Sequence, residues 1–274
     1  MKIVQIGTGG WGKNHSRVLS EFGVLSAICD TNPKLAEELG KKYSVNFYDS
    51  IENLLEREEF DAALVCTPTS THTEIASRLI ENKKHVFVEK PLTYLSEDGQ
   101  KLIETAKKNN IILTCGYIER FNPAVATVKD FLKSKKYGDL IRLEFYREHR
   151  MPQHIKDVGI IYDTSVHDID TALWLFDEVP DVVFAIAGSI NHEHEDFATI
   201  MLGFKDNKNA TISSNWITPT RVRNFNAVCT DARIFSNFIT QEIRIETNNG
   251  TENPKNEKTE PLSLEIRNFI DAIQ

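Results

Sequence analysis

A glycine-rich turn within residues 3–30 constrains the fold of this chain more than any other stretch. An apolar run, a turn containing Gly7, Gly9 and Gly12, a helix-compatible segment and a second apolar run follow one another there. In G-x-G-x-x-G spacing, the first glycine makes the tight turn, the second lets the backbone approach a pyrophosphate, and the third lets helix pack on strand. The stretch therefore predicts a strand–helix–strand unit whose helix amino terminus attracts phosphate.

Asp30 closes the second apolar run, 18 residues after Gly12. A carboxylate about 20 residues after the turn accepts hydrogen bonds from the adenosine ribose of a dinucleotide. The glycines alone would also fit a purely structural turn, so the acid is what favours dinucleotide binding. It would repel a 2′-phosphate, and no arginine follows in residues 31–34, so NAD is predicted in preference to NADP. The remaining turn residues, Thr8, Gly10 and Trp11, are expected to lie along the same cofactor.

Composition indicates an ordinary soluble globular protein. The chain has 274 residues, is 41% hydrophobic and 26% charged, and is long enough for two domains. Its net charge of −8 argues against nucleic acid and anionic membrane as partners. No apolar run approaches the ~18 residues of a membrane span and no signal peptide precedes the first strand, so we expect a cytoplasmic protein. The scattered cysteines lack metal-ligand spacing and are expected to be reduced thiols.

The rest of the chain divides into two patterns. Up to residue 117, apolar strands alternate with amphipathic helices, which predicts an α/β domain, residues 1–117, with a Rossmann-type doubly wound parallel sheet. From residue 118, two helices and short strands with turn signals predict an α+β domain, residues 118–274, with an open, mainly antiparallel sheet. One of its strands is predicted to run over 232–246.

Polar residues follow the predicted parallel strands where ligands bind in such sheets. They are Thr67, Pro68, Thr69, Glu89, Lys90 and Tyr117. Most lysines are solvated surface groups, but Lys90 at a strand exit can donate to a substrate hydroxyl and stabilise the oxyanion that forms. We therefore predict a catalytic role for it. His72, in the first turn of the next helix, either lines this pocket or caps the helix.

A helix of the second domain carries Asp163, His167 and Asp170 at i, i+4 and i+7, so the three residues are expected on one side. A carboxylate one turn from an imidazole can set its tautomer, which suits a proton acceptor. The alternatives are a helix-face ion pair or a metal site, and no metal is predicted. His192 and His194 are interpreted as a strand end or loop rather than a metal pair, and Trp216 either joins the core or flanks the cofactor.

Five motifs in order resemble the Gfo/Idh/MocA, or glucose-fructose oxidoreductase, family: GTGGWG, CTPTSTH, VEKPL, YIERFNPAV and DVGIIYDTSVHDID. The resemblance implies NAD(P) on the first domain and a homodimer or homotetramer formed through the sheet of the second. It implies that Lys90 and His167, assisted by Asp163, act on a sugar or cyclitol hydroxyl. It also implies that Glu89 and residues 67–69 line the nicotinamide side.

The stretches ERFNPAV, GIIYDTSVHDID and NWITP further resemble the subgroup that oxidises the 3-hydroxyl of UDP-N-acetylglucosamine. Tyr117 stands where that subgroup has histidine, and it is expected at the substrate. Arg120 and Asn122 either contact sugar or diphosphate or fix the domain junction. The expected function is an NAD-dependent sugar or nucleotide-sugar dehydrogenase. The alternatives are an inositol or simple-sugar dehydrogenase and a non-catalytic NAD-binding regulator.

Overall fold

The computed structural model of the protein describes residues 1–152, 155 and 158–274. It contains two compact units, one made of Met1–Gly116 with Leu262–Gln274 and the other of Tyr117–Pro261. In the described part of the chain, no helix combines the length and the apolar character needed to cross a membrane.

The first unit is a parallel sheet with helices. Its strands are β1 (Ile3–Ile6), β2 (Leu25–Cys29), β3 (Asn46–Tyr48), β4 (Ala62–Val65), β5 (His85–Glu89) and β6 (Leu113–Gly116). Its helices are α1 (Gly12–Glu21), α2 (Pro33–Tyr43), α3 (Ile51–Arg57), α4 (His72–Glu81), α5 (Ser96–Asn109) and α8 (Pro261–Ile273). The strands are all parallel, in the order β3-β2-β1-β4-β5-β6. The predicted doubly wound parallel sheet is confirmed, with β3 as a strand that the sequence did not predict.

Burial and capping explain why these segments form. Every residue of β1 and β4 is buried, as expected for central strands covered on both faces. Helix α2 begins directly after Asn32, whose side chain accepts hydrogen bonds from the backbone N–H groups of Lys34 and Leu35. The chain passes from one side of β1 to the other at β4, and ligands of open α/β sheets bind at such a switch point, beyond the carboxyl ends of the strands.

Helix α8 belongs to the first unit, although the sequence-based division places all of 118–274 in the second domain. Its buried face includes Leu262, Ile266 and Phe269. The Phe269 ring lies 5.8 Å from the ring of Phe87 in β5, and the Arg267 guanidinium lies 4.0 Å from the ring of Phe22. The amphipathic face of the helix is thus covered by the parallel sheet and α1. Sequence proximity to the second domain gave no sign of this packing.

The second unit contains an eight-stranded sheet and two helices. The helices are α6 (Pro123–Lys133) and α7 (Val166–Phe176), and a π-helical turn, Ile161–Ser165, runs directly into α7. The strands are β7 (Leu140–Glu148), β8 (Val182–Gly188), β9 (Phe197–Gly203), β10 (Asn209–Asn215), β11 (Val222–Cys229), β12 (Ala232–Asn237), β13 (Ile243–Thr247) and β14 (Gly250–Glu252). Their order is β14-β13-β12-β11-β7-β10-β9-β8.

The sheet of the second unit is mainly antiparallel, as predicted, and β7 with β10 is its parallel pair among the described strands. The prediction of one strand over 232–246 was wrong. Gln241 has a φ of +57°, and the chain turns between β12 and β13, which pair with each other. An alternating polar and apolar pattern continues through both strands, so the pattern alone did not reveal the turn.

Candidate functional site

The glycine turn between β1 and α1 has the geometry that its spacing predicts. Gly7 has a φ of +79°, and a Cβ at this residue would lie 2.5 Å from the carbonyl oxygen of Cys66. A Cβ on Gly12 would lie 2.1 Å from the carbonyl oxygen of Gly7. Among the described residues, no heavy atom beyond the chain neighbours lies within 4 Å of the corresponding position on Gly9. The first and third glycines therefore close the turn, and the second leaves room for a ligand to approach the backbone.

The start of α1 and the end of β2 carry the groups expected to hold a dinucleotide. No side chain of the described residues caps the first turn of α1, where the N–H groups of Lys13 and Asn14 donate to the carbonyl oxygens of Gly9 at 3.4 Å and Trp11 at 2.9 Å. The positive end of the helix dipole favours an anion at this position. Asp30 Oδ2 accepts hydrogen bonds from the backbone N–H and the hydroxyl of Thr8, both at 2.7 Å. Its Oδ1 accepts one from the Asn32 N–H at 2.9 Å, so this oxygen keeps a lone pair for a further donor.

The Glu89 carboxylate is fixed from three directions, immediately before Lys90. Glu89 Oε1 lies 3.2 Å from Nε2 of the fully buried His15, and Oε2 accepts the backbone N–H of Lys90 at 3.0 Å. A Cβ on Gly116 would lie 3.3 Å from the Glu89 carboxyl carbon and 2.9 Å from the Phe87 ring. The glycine at the end of β6 thus leaves space for the carboxylate at the end of β5.

The charge on His15 follows from its neighbours. Burial by itself lowers the pKa of this imidazole, but Cys66 and Glu89 together raise the pKa well above its ordinary value of 6.5. The ring is therefore held as a cation beside the carboxylate. Sequence reasoning missed His15, although it lies one helical turn after Trp11 in the glycine-rich stretch.

His72 neither lines an open pocket nor caps α4 through its side chain, because it is 1% exposed and both ring nitrogens bind backbone oxygens. Nδ1 lies 2.8 Å from the carbonyl oxygen of Pro91, and Nε2 lies 2.9 Å from that of Thr67. His72 thus connects the loops that follow β4 and β5, and its contacts do not support the expected role as a cofactor ligand.

In the second unit, the helical segment that carries Asp163 and His167 contains the π turn, so α-helical spacing does not describe it. Thr164 Oγ1 donates to Asp163 Oδ2 at 3.1 Å and accepts the indole N–H of Trp216 at 3.2 Å. Trp216 is 3% exposed and belongs to the core of this unit, which decides between its two interpretations. Its hydrogen bond ties the end of β10 to the turn that contains Asp163.

A buried arginine that sequence reasoning missed anchors the start of α7. Arg147 on β7 donates to Asp168 at 2.7 and 3.0 Å and to Glu119 at 3.1 Å. Burial alone lowers the pKa of Arg147, but the two carboxylates raise it above its usual value overall. The signal was present in β7, where Leu143 and Phe145 face inward and residue 147 is next in the same alternation.

Arg120 and Asn122 are held within the second unit. Arg120 forms a two-bond fork with Asp170, from Nε at 2.8 Å and Nη2 at 2.6 Å. Asn122 is 1% exposed; its side chain caps α6 at Ala124 and donates to the carbonyl oxygen of Phe238 at 3.0 Å. The contacts of Asn122 therefore favour a structural role over the expected substrate contact. Both carboxylate oxygens of Asp170 are engaged by Arg120.

No metal site is evident in the part of the chain that the structure describes, where no three His, Cys, Asp or Glu residues are grouped as ligands. The rings of His192 and His194 lie 5.7 Å apart, and His192 packs edge-on against Trp216. The four cysteines are free thiols. Burial raises the pKa of Cys29 to about 12 and that of Cys229 to about 11, so both remain protonated near neutral pH.

Two family models match the chain. Residues 1–117 match the oxidoreductase family with an NAD-binding Rossmann fold. Residues 125–235 match the GFO/IDH/MocA C-terminal domain. The two models together cover most of the chain, and the first covers the glycine turn and Lys90.

Named relatives agree with these models. Over its full length the chain is 26% identical to UDP-N-acetylglucosamine 3-dehydrogenase of Acidithiobacillus ferrooxidans and covers 88% of that enzyme. A solved structure of that enzyme superposes with a TM-score of 0.92 over 100% of this chain. A second relative, myo-inositol 2-dehydrogenase of Thermotoga maritima, is 32% identical over 75% of this chain, which covers 65% of that enzyme. A levoglucosan dehydrogenase in complex with NADH and levoglucosan shares the fold, with 18% identity, a TM-score of 0.88 and coverage of 100% of this chain and 90% of that one.

Proposed function

Because the chain belongs to the GFO/IDH/MocA oxidoreductase family, we propose that it oxidises a sugar hydroxyl with NAD as the hydride acceptor. The observation that carries the proposal is the arrangement of the first unit. The open glycine turn, Asp30 and Lys90 all follow the carboxyl ends of parallel strands, which is where such sheets bind ligands.

The cofactor-binding roles rest on the glycine turn and on the two neighbouring strand ends. The pyrophosphate lies against the turn residues and the uncapped start of α1. Asp30 accepts hydrogen bonds from the ribose and disfavours a 2′-phosphate, so NAD is preferred to NADP. On the strength of the family resemblance, Glu89 and the 67–69 loop face the nicotinamide side. When bound, the nicotinamide supplies the hydride acceptor.

Lys90 and His167 are the proposed catalytic residues. The Lys90 ammonium donates a hydrogen bond to the substrate hydroxyl and stabilises the negative charge that develops on its oxygen. His167 accepts the hydroxyl proton, with Asp163 favouring the required tautomer. Tyr117 and Arg120 are proposed to contribute to substrate binding on the basis of the resemblance alone. Asn122 and His72 are not given ligand-binding roles, because their polar groups already bind the protein.

The substrate is proposed to be a sugar or nucleotide sugar. The relative that matches over the whole chain is named for UDP-N-acetylglucosamine, and the more identical but shorter match is named for myo-inositol. An inositol or simple sugar is therefore the second candidate. Both reactions remove a hydride from a carbon that bears a hydroxyl, so the same catalytic pair serves either substrate.

The test is formation of NADH with UDP-sugars, inositols and free hexoses, followed by two variants. Lys90→Met and His167→Ala should each reduce turnover by about 10²- to 10⁴-fold, the usual contribution of acid–base catalysis, with little change in NAD affinity. Lys107→Met, on the last turn of α5, is the matched control and should retain activity. Near-normal turnover in either variant would remove that residue from the chemistry. Tight NAD binding without reduction of NAD by any substrate would favour the non-catalytic regulator.

The exposed apolar surface of β8 supports a homo-oligomer formed through the sheet of the second unit. Val182, Phe184 and Ile186 are 57–63% exposed, and Met201 on β9 lies in register with Phe184. An apolar edge strand of this kind invites pairing with another chain. Light scattering should show more than one chain per particle, and Phe184→Glu should shift the population toward single chains. Val179→Glu, outside the strand, is the control, and a single-chain wild-type particle would contradict the proposal.

A further inference from the structure

Arg223 on β11 is placed beside a cation that already holds the nearby carboxylates. It lies directly opposite Arg147 in the antiparallel register of β11 and β7. Directly opposed residues share one face of a sheet, and like charges in that position destabilise it. Arg147 donates to both Asp168 and Glu119, so these carboxylates are already engaged.

The guanidinium of Arg223 belongs to a partly buried residue. Its Nε atom is buried and has no hydrogen-bond partner among the described residues. Burial, and to a smaller extent Arg147 and Arg221, lower the pKa of Arg223 to about 10, because Glu119 and Asp168 offset only part of their effect. A partly buried cation without a bonded counter-ion destabilises a folded protein, and such groups are usually paired or reserved for a ligand.

The surroundings place this cation next to the segment that carries Asp163. Burial, then Arg223 and Arg221, lower the pKa of His149 at the end of β7, while Asp163 raises it. These four charged or titratable groups are therefore within electrostatic range of one another. Arg147 links the same region to Asp168, the residue after His167. Arg223 thus lies in the part of the second unit to which the proposed proton acceptor belongs.

We infer that Arg223, with Arg221 beside it, binds an oxyanion of the substrate, and that the diphosphate of a nucleotide sugar is the group it takes. The inference rests on the proposed function and narrows its substrate class. A planar guanidinium matches phosphate oxygens through two parallel hydrogen bonds. An uncharged inositol offers no counter-ion. A carboxylate on a sugar would offer the same chemistry, so the experiment includes one.

A purely structural role makes a different prediction from ligand binding. If Arg223 served as a distant counter-ion of Glu119 and Asp168, then Arg223→Met would destabilise the protein, because it would leave those carboxylates less neutralised. If Arg223 instead binds an anionic ligand, Arg223→Met should abolish anion binding and leave the melting temperature unchanged or raise it. A loss of anion affinity in Arg223→Met without a loss of stability therefore indicates a ligand-binding role, whereas a loss of stability indicates a structural one.

The experiment is calorimetric titration of the NAD-loaded full chain with UDP, inorganic pyrophosphate, glucuronate and myo-inositol. We expect Arg223→Met to weaken UDP and pyrophosphate binding at least tenfold, and Arg223→Lys to restore part of it. The exposed Arg221→Met should weaken binding by about threefold, which keeps the test informative if Arg223→Met folds poorly. Arg233→Met on β12 removes an equal charge from a half-exposed site and should change nothing.

The outcomes separate this inference from the proposed function. Equal UDP affinity in the wild type and Arg223→Met would overturn it, as would no UDP binding by the wild type or binding of glucuronate in place of UDP. The proposed function is tested independently by NADH formation with any sugar. Oxidation of myo-inositol without UDP binding would keep the dehydrogenase and reject the diphosphate site.

Discussion

The two units hold their proposed catalytic side chains with different buried groups, imidazoles in the first and guanidinium groups in the second. In the first unit, His15 and His72 fix the 89–91 segment through the Glu89 carboxylate and the Pro91 carbonyl oxygen. In the second, Arg147 and Arg120 fix the helix that carries the proposed proton acceptor, through Asp168 and Asp170. Each of these two segments thus has two anchors, but the chemistry of the anchors differs.

This difference predicts that the two units respond differently to pH and to the loss of an anchoring side chain. An imidazole gains and loses its proton near neutral pH, whereas a guanidinium stays charged throughout that range. The contact between His15 and Glu89 should therefore weaken as the pH rises through the raised pKa of His15, whereas Arg147 and Arg120 keep their charge over the same range. The arginine pairs bury more charge than the histidine contacts do. Removing an arginine should therefore lower the free energy of unfolding more than removing a histidine.

Arg147→Met should have the largest effect on stability. It leaves Asp168 and Glu119 buried without their cation, which lowers the free energy of unfolding by about 3–5 kcal/mol. Urea unfolding followed by tryptophan fluorescence measures this, because Trp174 and Trp216 both lie in the second unit. Arg142→Met is the control on the same strand, where a half-exposed pair with Glu144 should contribute about 1 kcal/mol or less. Equal losses in the two variants would contradict the proposed anchoring role.

His72→Phe should have the next largest effect, since it keeps a ring but removes both ring nitrogens. The carbonyl oxygens of Pro91 and Thr67 would lose their contacts with those nitrogens, including a buried hydrogen bond worth about 1–3 kcal/mol. Because those carbonyls belong to the loops after β4 and β5, NAD affinity should also fall severalfold. Titration of NAD alongside urea unfolding measures both. His85→Phe, which removes one half-exposed acceptor for the Ile112 N–H, should leave NAD binding unchanged. A normal NAD affinity in His72→Phe would show that the loops are held without it.

The first unit was the easier half to predict because its constraints are local. The glycine turn, the acid at the end of β2 and the buried strands each follow from residues close in sequence, and the structure confirms the sheet that they predict. The two histidine anchors were harder, because their partners are distant: Glu89 for His15 and Pro91 for His72. The spacing of residues in the sequence does not show which distant oxygen atom a histidine contacts in the folded protein.

The second unit was harder for two physical reasons. A π turn at Ile161–Ser165 interrupts the α-helical spacing between Asp163 and His167, and the apolar periodicity of the sequence did not predict it. The core of the unit also contains an ion cluster that apolar periodicity does not predict, with Arg147 in an inward register position. The position of α8 could not be predicted from local sequence, because the helix packs on an apolar surface that exists only once the first unit has folded.

His15→Gln should have the smallest effect, expressed as a change in pH dependence. Burial lowers the pKa of His15, but Cys66 and Glu89 raise it overall well above 6.5. A base whose folded pKa is raised contributes stability that is fully present below 6.5 and is lost as pH rises through the folded value. The wild type should therefore lose stability from neutral into alkaline pH, by at most about 1.4 kcal/mol per pH unit for one proton, and the variant should lose less.

Calorimetric melting over a pH series measures the slope, and His85→Gln provides a control of opposite sign. Burial lowers the pKa of His85, so its contribution is lost as pH falls below 6.5 and leaves the alkaline side unchanged. Parallel alkaline profiles for the wild type and His15→Gln would mean that the Glu89 carboxylate is not held by an imidazolium. The contrast with the arginine anchors would then fail, because both catalytic segments would be equally indifferent to pH.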